Sequence, residues 1–533
     1  MKTRLADTGK RLVEGVVQSW ARFPLATFSA LGVMLTLLTA IEAGSIPVWV
    51  WQRLAMTAAM GVPLGVFLVV AGESRDWSPV KLAGLQAVGL GLVVAYWAML
   101  PAKEAAVPES FWISAGMLLL ALHLAVAVGA RHRSHGAFWT FNWNLFNRYG
   151  AGVVYAVTFF AGLALALASA VKLFDFTMEP KRYAQLWVLV TFGFHPLWLL
   201  AGVPSVRAEE QAEMEPPRGL RVSAGGVLLP LVAVYLAILY PYAVKIALTR
   251  VWPDGWVAVP VIGLAVIGLL AVLLVQPLAR AGLWWAEWFA GRWFGRLLVP
   301  MAVLLALAVS VRVGDYGLTE SRYAGYVLAG WLAAMGLYFG TGGAARRSLR
   351  VIPLSLLGVV VFLLAGPWSL FAVAERSQLA RLDGLLAKYG LVEHGVARPK
   401  AQTLSRKEVS DLCSVIDYLH QRHRSAGLYA RLEPWLRNHP DRPDRRGNFG
   451  DDTLGWLQVA SLGDESRRSE WGFSFNAPPC DLTGFKWADY GSIGSGTRSR
   501  LSVGVLNLRL SPNGAGLEME SAGGGWKPVA EIN

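Results

Sequence analysis

Across roughly its first 375 residues the chain alternates apolar runs of about 15–23 residues with short polar gaps. No other feature constrains the fold as strongly. A run of about 20 apolar residues crosses the roughly 30 Å hydrocarbon core of a bilayer as a helix. Backbone polar groups find no water there, so only helices or closed barrels span it, and runs this long exclude a barrel. The pattern predicts eleven spans: Phe23–Ile41, Leu54–Gly72, Leu82–Leu100, Phe111–Gly129, Gly150–Val171, Ala184–Val203, Gly226–Leu248, Val257–Leu278, Leu297–Val311, Tyr323–Thr341 and Val351–Phe371.

The chain is 54% hydrophobic and 16% charged, against about 25% charged in an average globular protein. Its net charge of +13 does not point to nucleic acid, because of where the charge lies. Alternate gaps, beginning with "MKTRLADTGKRLVEGVVQSWAR", hold about 19 Lys and Arg, and the opposite set holds about eight. That asymmetry is the positive-inside pattern, which places the N-terminus in the cytoplasm. With eleven spans, everything after Phe371 is then outside. Ile41 and Ala43 make a poor cleavage site, so Phe23–Ile41 is expected to be a retained span and not a signal peptide.

Two polar gaps carry nearly the same string. "DFTMEPKRYA" (Asp175–Ala184) aligns with "DYGLTESRYA" (Asp315–Ala324), pairing Asp175 with Asp315, Arg182 with Arg322, Tyr183 with Tyr323 and, after a one-residue slip, Glu179 with Glu320. The preceding runs end alike, in "ALASAVK" (Ala166–Lys172) and "ALAVSVR" (Ala306–Arg312). Upstream, "FWTFNWNLFNRYG" (Phe138–Gly150) parallels "LWWAEWFAGRWFG" (Leu283–Gly295), and "LPL" at Leu229 and "IPL" at Ile352 open spans seven and eleven. Aromatic belts recur in any membrane protein. Four landmarks in one order instead predict a parallel internal repeat of four spans, spans four to seven against eight to eleven. Sites in such proteins often lie between the repeats.

"DYGLTESRY", "YPYAVKIALTRVWPDGWV" (Tyr240–Val257), "FWTFNWNLFNRYG" and "GPWSLFAVAERSQLARLDGLL" (Gly366–Leu386) resemble an uncharacterised family of polytopic bacterial membrane proteins, domain of unknown function 4153. The resemblance covers most of the chain after about Arg131, and its YGLTE-x-RY string is the specific part. It implies a bacterial integral membrane protein and transfers no activity or catalytic residue. With the charge pattern it implies a multi-pass protein of the cytoplasmic membrane, with its C-terminal domain in the periplasm.

Within the repeated gaps, Asp175, Glu179, Arg182, Asp315, Glu320 and Arg322 are the candidate ligand-binding residues. An Arg fork suits phosphate or carboxylate, so on the functional reading the duplicated sets bind an anionic head group or a partner. The simpler alternative is that the motif fixes helix ends, with Thr319 capping the tenth span and Glu320 in its first turn near the positive end of the dipole. Trp139, Asn142, Trp143, Trp284, Trp285, Trp288 and Trp293 read as interfacial, lipid-contacting residues of helices lying in the headgroup region. No Asp or Glu stands in the middle of a span, and His123 and His195 are the intramembrane histidines. Proton-coupled transport normally needs a buried titrating group.

From Arg376 charge rises and the long apolar runs stop. The rest is enough for one α+β domain. "LSRKEVSDLCSVIDYLHQRH" predicts an amphipathic helix opened by a Ser405/Glu408 capping box. "RLSVGVLNLRLSPNGAGLEMES" predicts strands around a Pro-Asn-Gly turn. Cys413 and Cys480, the two cysteines, are candidates for a disulfide in an oxidising compartment. His420, His423 and Asp417 are too few for a metal site and read as a solvated helix face. No metal or cofactor is expected.

The expected organisation is residues 1–110 with three spans, membrane repeats over 111–250 and 251–375, and a soluble domain over 376–533. No Walker A loop, HExxH, GxSxG or paired CxxC occurs, which weighs against an enzyme. Three functions fit: a non-enzymatic scaffold or assembly factor meeting an envelope protein through its C-terminal domain, a transporter or lipid flippase with its site between the repeats, and a membrane enzyme acting on an anionic lipid-linked substrate. The folded tail puts the scaffold first.

Overall fold

The computed structural model describes residues 17, 19–43, 47–102, 107–132, 134–175, 177–211, 217–252, 257–342, 347–439, 449–461, 500–503, 506–510, 516–520 and 526–531. The chain forms two compact units, one of Met1–Arg381 with Leu419–Ala426, the other of Leu382–Tyr418 with Gly427–Asn533.

The first unit is helical. Among the described residues, nine helices are long and apolar enough to cross a membrane: α1 (Pro24–Glu42), α2 (Val48–Glu73), α3 (Pro79–Met99), α4 (Glu109–Gly129), α5 (His135–Phe174), α6 (Lys181–Ala201), α7 (Gly219–Thr249), α8 (Ala258–Arg280) and α9 (Trp284–Gly314). The protein is therefore a polytopic membrane protein. Two further helices fall on the remaining expected spans. Helix α10 (Glu320–Gly340) carries Glu320 and Arg322 in its first turn, and α11 (Val351–Leu364) has 14 residues, roughly 21 Å at 1.5 Å per residue. Span eleven thus stops short of Phe371, because Gly366 turns to φ 81° and Pro367 follows.

The aromatic segments depart from expectation. "FWTFNWNLFNRYG" is no separate surface helix; it lies within the single 40-residue helix α5. Its counterpart runs into the ninth span through a π-turn at Phe289–Trp293. Phe138, Trp139 and Phe141 are buried, and Trp139 Nε1 donates to Leu273 O at 2.8 Å. An apolar stretch with a continuous helical pattern has no reason to break at the membrane edge when neighbouring helices cover it there.

Two apolar cores hold this unit. One surrounds α8, whose Val261, Leu264, Ala265, Gly268, Leu269, Val272 and Val275 recur at the spacing of three and four that makes one helix face. The other joins Phe23 and Ala26 of α1 to Val66, Val69 and Val70 of α2 and Phe141 of α5. Small residues set the closest approaches, as expected where lipid supplies no hydrophobic drive between helices. A Cβ on Gly295 of α9 would lie 2.4 Å from Gly340 N and 2.6 Å from Gly336 O, so the backbones of α9 and α10 touch. Gly336 and Gly340 form a G-x-x-x-G pair on α10. Across the first bundle a Cβ on Gly65 would lie 2.6 Å from Ala26 N, and Gln86 of α3 donates to Gly65 O at 3.3 Å.

In the second unit, the last residues of α12 (Leu370–Lys388) lead to a hairpin of β1 (Val392–Glu393) and β2 (Val396–Ala397). Its two central residues, His394 and Gly395, both have positive φ, as a type I′ turn demands. Strand β3 (Gln402–Leu404) pairs in parallel with β4 (Val459–Ser461), and β5 (Arg500–Val503), β6 (Leu506–Leu510), β7 (Gly516–Glu520) and β8 (Trp526–Glu531) form an antiparallel sheet in that order. The expected strands are thus present; the Pro-Asn-Gly turn between β6 and β7 lies outside the described residues.

Helix α13 (Arg406–Tyr418) buries Val409, Leu412, Val415 and Ile416, and α14 (Phe449–Trp456) brings Phe449 to Trp435, ring centroids 5.3 Å apart. The capping box forms as the sequence implies: Ser405 N donates to Glu408 Oε2 at 3.1 Å and Glu408 N to Ser405 Oγ at 3.4 Å. Hydrogen bonds from the Ser405 hydroxyl, Lys388 and the Ser405 backbone hold the Glu408 carboxyl well below its usual range, at about 2.

Two outcomes are expected. Replacing Gly295 with Leu should lower stability by about 3 kcal/mol, since backbone and not side chain blocks the added atoms. Gly330→Leu, where nothing lies within 4 Å, should be tolerated; thermal melts of the two variants in lipid discs make the comparison. For Glu408, a lowered folded pKa means its stabilising effect is complete above about 4.5 and is lost as pH falls through about 2. Hydrogen exchange of the α13 amides should therefore accelerate between pH 4.5 and 2 in the wild type, and this acceleration should be smaller in Glu408→Gln.

Candidate functional site

The turn "DYGLTESRY" is where the first unit concentrates its buried polar chemistry. Helix α9 continues to Tyr316 and stops because Gly317 takes φ 74°, ψ −178°, a conformation open only to glycine. The turn then needs partners for its backbone groups, and α12 supplies them. Gln378 Nε2 donates to Tyr316 O and Leu318 O, both at 3.1 Å, Arg381 Nη1 donates to Tyr316 O at 2.9 Å, and Leu318 N donates to Ser377 Oγ at 3.1 Å. Gln378 is buried, and a Cβ on Gly317 would lie 2.9 Å from its Nε2. Arg322 Nη1 closes the turn from within, donating to Gly317 O at 2.7 Å, and Tyr323 Oη donates to Trp368 O at 3.0 Å.

Thr319 occupies the N-cap position of α10, but its hydroxyl lies 3.3 Å from Ser321 Oγ and bonds no helix N–H. The cap anticipated from the sequence does not form. Glu320, in the first turn as expected, is only 6% exposed. Its Oε1 lies 3.1 Å from His423 Nε2, whose side chain is 3% exposed. His423 comes from Leu419–Ala426, the eight residues of the C-terminal region that belong to the membrane unit.

That segment is fastened along its length. Its first turn is a π-turn, Leu419–His423, and Arg424 then reverses with φ 48°. Arg422 pairs with Glu109 of α4 at 3.1 Å, and Ser425 Oγ donates to Glu375 Oε1 of α12 at 2.5 Å. His420 is 2% exposed and lies 3.3 Å from Arg424 Nη1 through its Nε2. Arginine only donates, so His420 Nε2 accepts and its proton sits on Nδ1. The histidines are thus buried, against the solvated face expected of them. The helix-face argument took the register of α13 past Tyr418, where the π-turn shifts it. Asp417 is engaged elsewhere in the second unit, accepting from Gly450 N at 2.8 Å.

The first copy of the motif is built differently. Asp175 ends α5 in the left-handed region at φ 52°. Arg182 meets Glu42 of α1 at 2.9 Å, and Lys181 bridges Glu42 at 3.0 Å and Glu179 at 2.9 Å, all at exposed positions. Pairs of this kind are worth about 1 kcal/mol or less. So the structure surrounds Glu179 and Arg182 with α1 and Glu320 with the 419–426 segment. Of the aromatic set, Trp139 is buried, stacking on half-buried Trp143 at 5.3 Å, while Trp284, Trp288 and Trp293 are exposed and Trp285 half-buried. Asn142 Nδ2 donates to Ala127 O and Phe138 O at 3.1 and 2.9 Å.

Cys413 lies in the second unit with Sγ 3.5 Å from Asp417 Oδ2 and 3.7 Å from Asp451 Oδ1. Burial and the two carboxylates push its thiol up to about 12, so it is protonated and a poor nucleophile at neutral pH. Cys480 lies outside the described residues. Among the described residues no three His, Cys, Asp or Glu side chains converge as metal ligands would.

Chemically, a buried carboxylate against a buried imidazole is a fastening that depends on both partners. Removing one takes a partner from a buried polar group and costs about 1–3 kcal/mol, whereas replacing both by apolar groups of similar shape is often nearly neutral. His423→Ala is expected to melt well below the wild type, and Glu320→Met combined with His423→Leu should recover most of the loss; thermal unfolding in lipid discs measures both.

Residues 27–391, more than half of the chain, match the family described as domain of unknown function 4153, DUF4153. The chain is also similar to "Uncharacterized protein PM1469" of Pasteurella multocida (strain Pm70), 29% identical over 172 residues, which is 31% of this chain and 28% of that protein. The match therefore spans little more than a quarter of that relative's length. No solved structure matches the chain. On the family match, this polytopic membrane protein belongs to the DUF4153 family.

Proposed function

We propose that the protein is a non-enzymatic scaffold of the bacterial cytoplasmic membrane that holds a folded periplasmic domain for an envelope protein to bind. The observation that carries this reading is the 419–426 segment. The chain leaves its C-terminal unit at Tyr418, contributes eight residues to the membrane unit, and returns at Gly427. Within the membrane unit those residues are held by a buried carboxylate–imidazole contact, an exposed ion pair and a buried serine bond. The chain of the C-terminal unit is thus tied to the membrane unit at a second place besides the Arg381–Leu382 junction. The positive-inside charge pattern, with eleven spans, puts that domain outside the cytoplasm.

Two further features support the parallel repeat on which the scaffold is built. Helices α5 and α9 both begin in the paired aromatic segments. Each is followed by a residue of positive φ in the repeated turn, Asp175 at 52° in one copy and Gly317 at 74° in the other. An anion-binding role for the turns is best supported at the second copy, where Arg312, Ser321 and Arg322 line a cavity of about 200 Å³ with Trp252. A second reading, a lipid flippase, is favoured by one observation. A largely apolar cavity of about 320 Å³ lies where Asn142 and Phe146 of α5 face Leu273 of α8 and Pro353 of α11, between the two proposed repeats.

The scaffold reading predicts a stoichiometric protein partner. Full-length protein extracted from its own membranes in lipid discs should show, by native mass spectrometry, a companion protein retained by the wild type and lost from His423→Ala. Wild-type protein that carries no companion under crosslinking conditions sinks the reading, whatever lipid it retains.

A further inference from the structure

A second cavity, of about 340 Å³, opens among α2, α4, α5 and α6. Its walls are mainly apolar, including Val66, Val126, Leu145 and Leu200, and among the described residues lining it there is no Lys, Arg, Asp or Glu. Three polar side chains interrupt the apolar surface: His123, Asn142 and Tyr149. An intramembrane histidine is a functional suspect by default, and here its chemistry is defined by its neighbours.

His123 Nδ1 lies 2.8 Å from Leu119 O of its own helix. A carbonyl only accepts, so Nδ1 carries the proton, and Nε2 of the neutral ring is an acceptor. Asn142 uses its amide protons on Ala127 O and Phe138 O, which leaves Oδ1 as an acceptor too. His123 and Asn142 therefore present acceptors, and Tyr149 a hydroxyl that both accepts and donates, in an apolar, uncharged setting; the matching guest is an uncharged molecule with a hydroxyl. Its depth fits a lipid head: His123 is six residues from the end of α4 at Gly129, about 9 Å along the axis. His123 is exposed, so the cavity is open to the surroundings of the helices at His123.

Backbone irregularity also occurs in the helices that form the walls. Pro63 stands inside α2, and Pro196 follows the π-turn Leu189–Phe194 of α6. A proline removes a helix hydrogen bond and forces a bend, and single-turn π segments occur frequently at functional sites. Both prolines line the cavity.

We infer that this cavity binds a neutral glycerolipid with a free hydroxyl, of the diacylglycerol class, whose hydroxyl donates to His123 Nε2 or Asn142 Oδ1. A volume of about 340 Å³ accommodates the glycerol head and the first methylenes, while the remaining chains stay in the bilayer. This inference stands apart from the scaffold reading and does not need a protein partner.

The test uses the full-length protein in phosphatidylcholine discs and three probes: 1,2-dioleoylglycerol, its 3-acetyl ester with identical tails, and dioleoylphosphatidylglycerol. Native mass spectrometry reads which are retained. Dioleoylglycerol should be retained in preference to both others, and His123→Phe should weaken its retention about three- to tenfold, the effect of one hydrogen bond. Leu199→Trp, which fills the cavity from α6, should abolish retention without touching the polar groups. Equal retention of the alcohol and its acetyl ester overturns the proposal, as does preference for the anionic lipid. Retention of dioleoylglycerol unchanged in both variants overturns it as well.

Discussion

The backbones of α9 and α10 touch at Gly295, Gly336 and Gly340, and much of the first unit follows from that contact. Between apolar helices in lipid, close approach is what dispersion and weak backbone contacts have to work with. Once α10 is seated against α9, its first turn has a fixed position, and that turn carries Glu320. The same seating brings Arg296 Nε within 3.2 Å of Gly340 O, so the helix is pinned at the end opposite the buried carboxylate. Side chains on α11 then complete the layer, with Trp331 Nε1 donating to Ser355 Oγ at 2.9 Å.

The two repeated turns illustrate how one string acquires two uses. Both follow a long helix, and both precede a helix whose opening residues include an Arg-Tyr pair. At the first, α1 supplies Glu42, and the cations meet it in the open. At the second, the polar partners come from α12 and from the 419–426 segment, and the carboxylate is buried. The difference lies in what the rest of the chain brings, and this is information the string itself does not hold.

The elements that depend on local pattern were legible in advance. Among the described residues, nine of the eleven apolar runs fall in helices long and apolar enough to cross a membrane, and the Ser405/Glu408 box and strands β5 to β7 formed where capping chemistry and periodicity put them, while β8 lies beyond the stretch read as strands. What escaped was non-local. Trp139 read as a surface anchor because aromatic residues at a membrane edge usually are; instead it is buried and donates to Leu273 O of α8. His423 read as solvated because a helical wheel drawn through α13 ignores the π-turn beginning at Leu419, and its partner is about a hundred residues away in the chain. Thr319 has the residue type and backbone of a cap, yet its hydroxyl turns to Ser321. No spacing rule distinguishes those outcomes.

Helix α5 has a consequence for the membrane around it. Forty residues reach about 60 Å, twice the thickness of the hydrocarbon core. Most membrane helices take their vertical position from the match between apolar length and bilayer thickness. A helix with several turns to spare has no such ruler, because sliding it exposes no broken backbone. Its position must come from protein instead, and Arg148 supplies it: the guanidinium lies over the Trp198 ring, 3.2 Å from the centroid, and donates to Trp198 O. The depth of α5 is thereby referenced to α6 rather than to the lipid, and the pair should ride through bilayers of different thickness as one body.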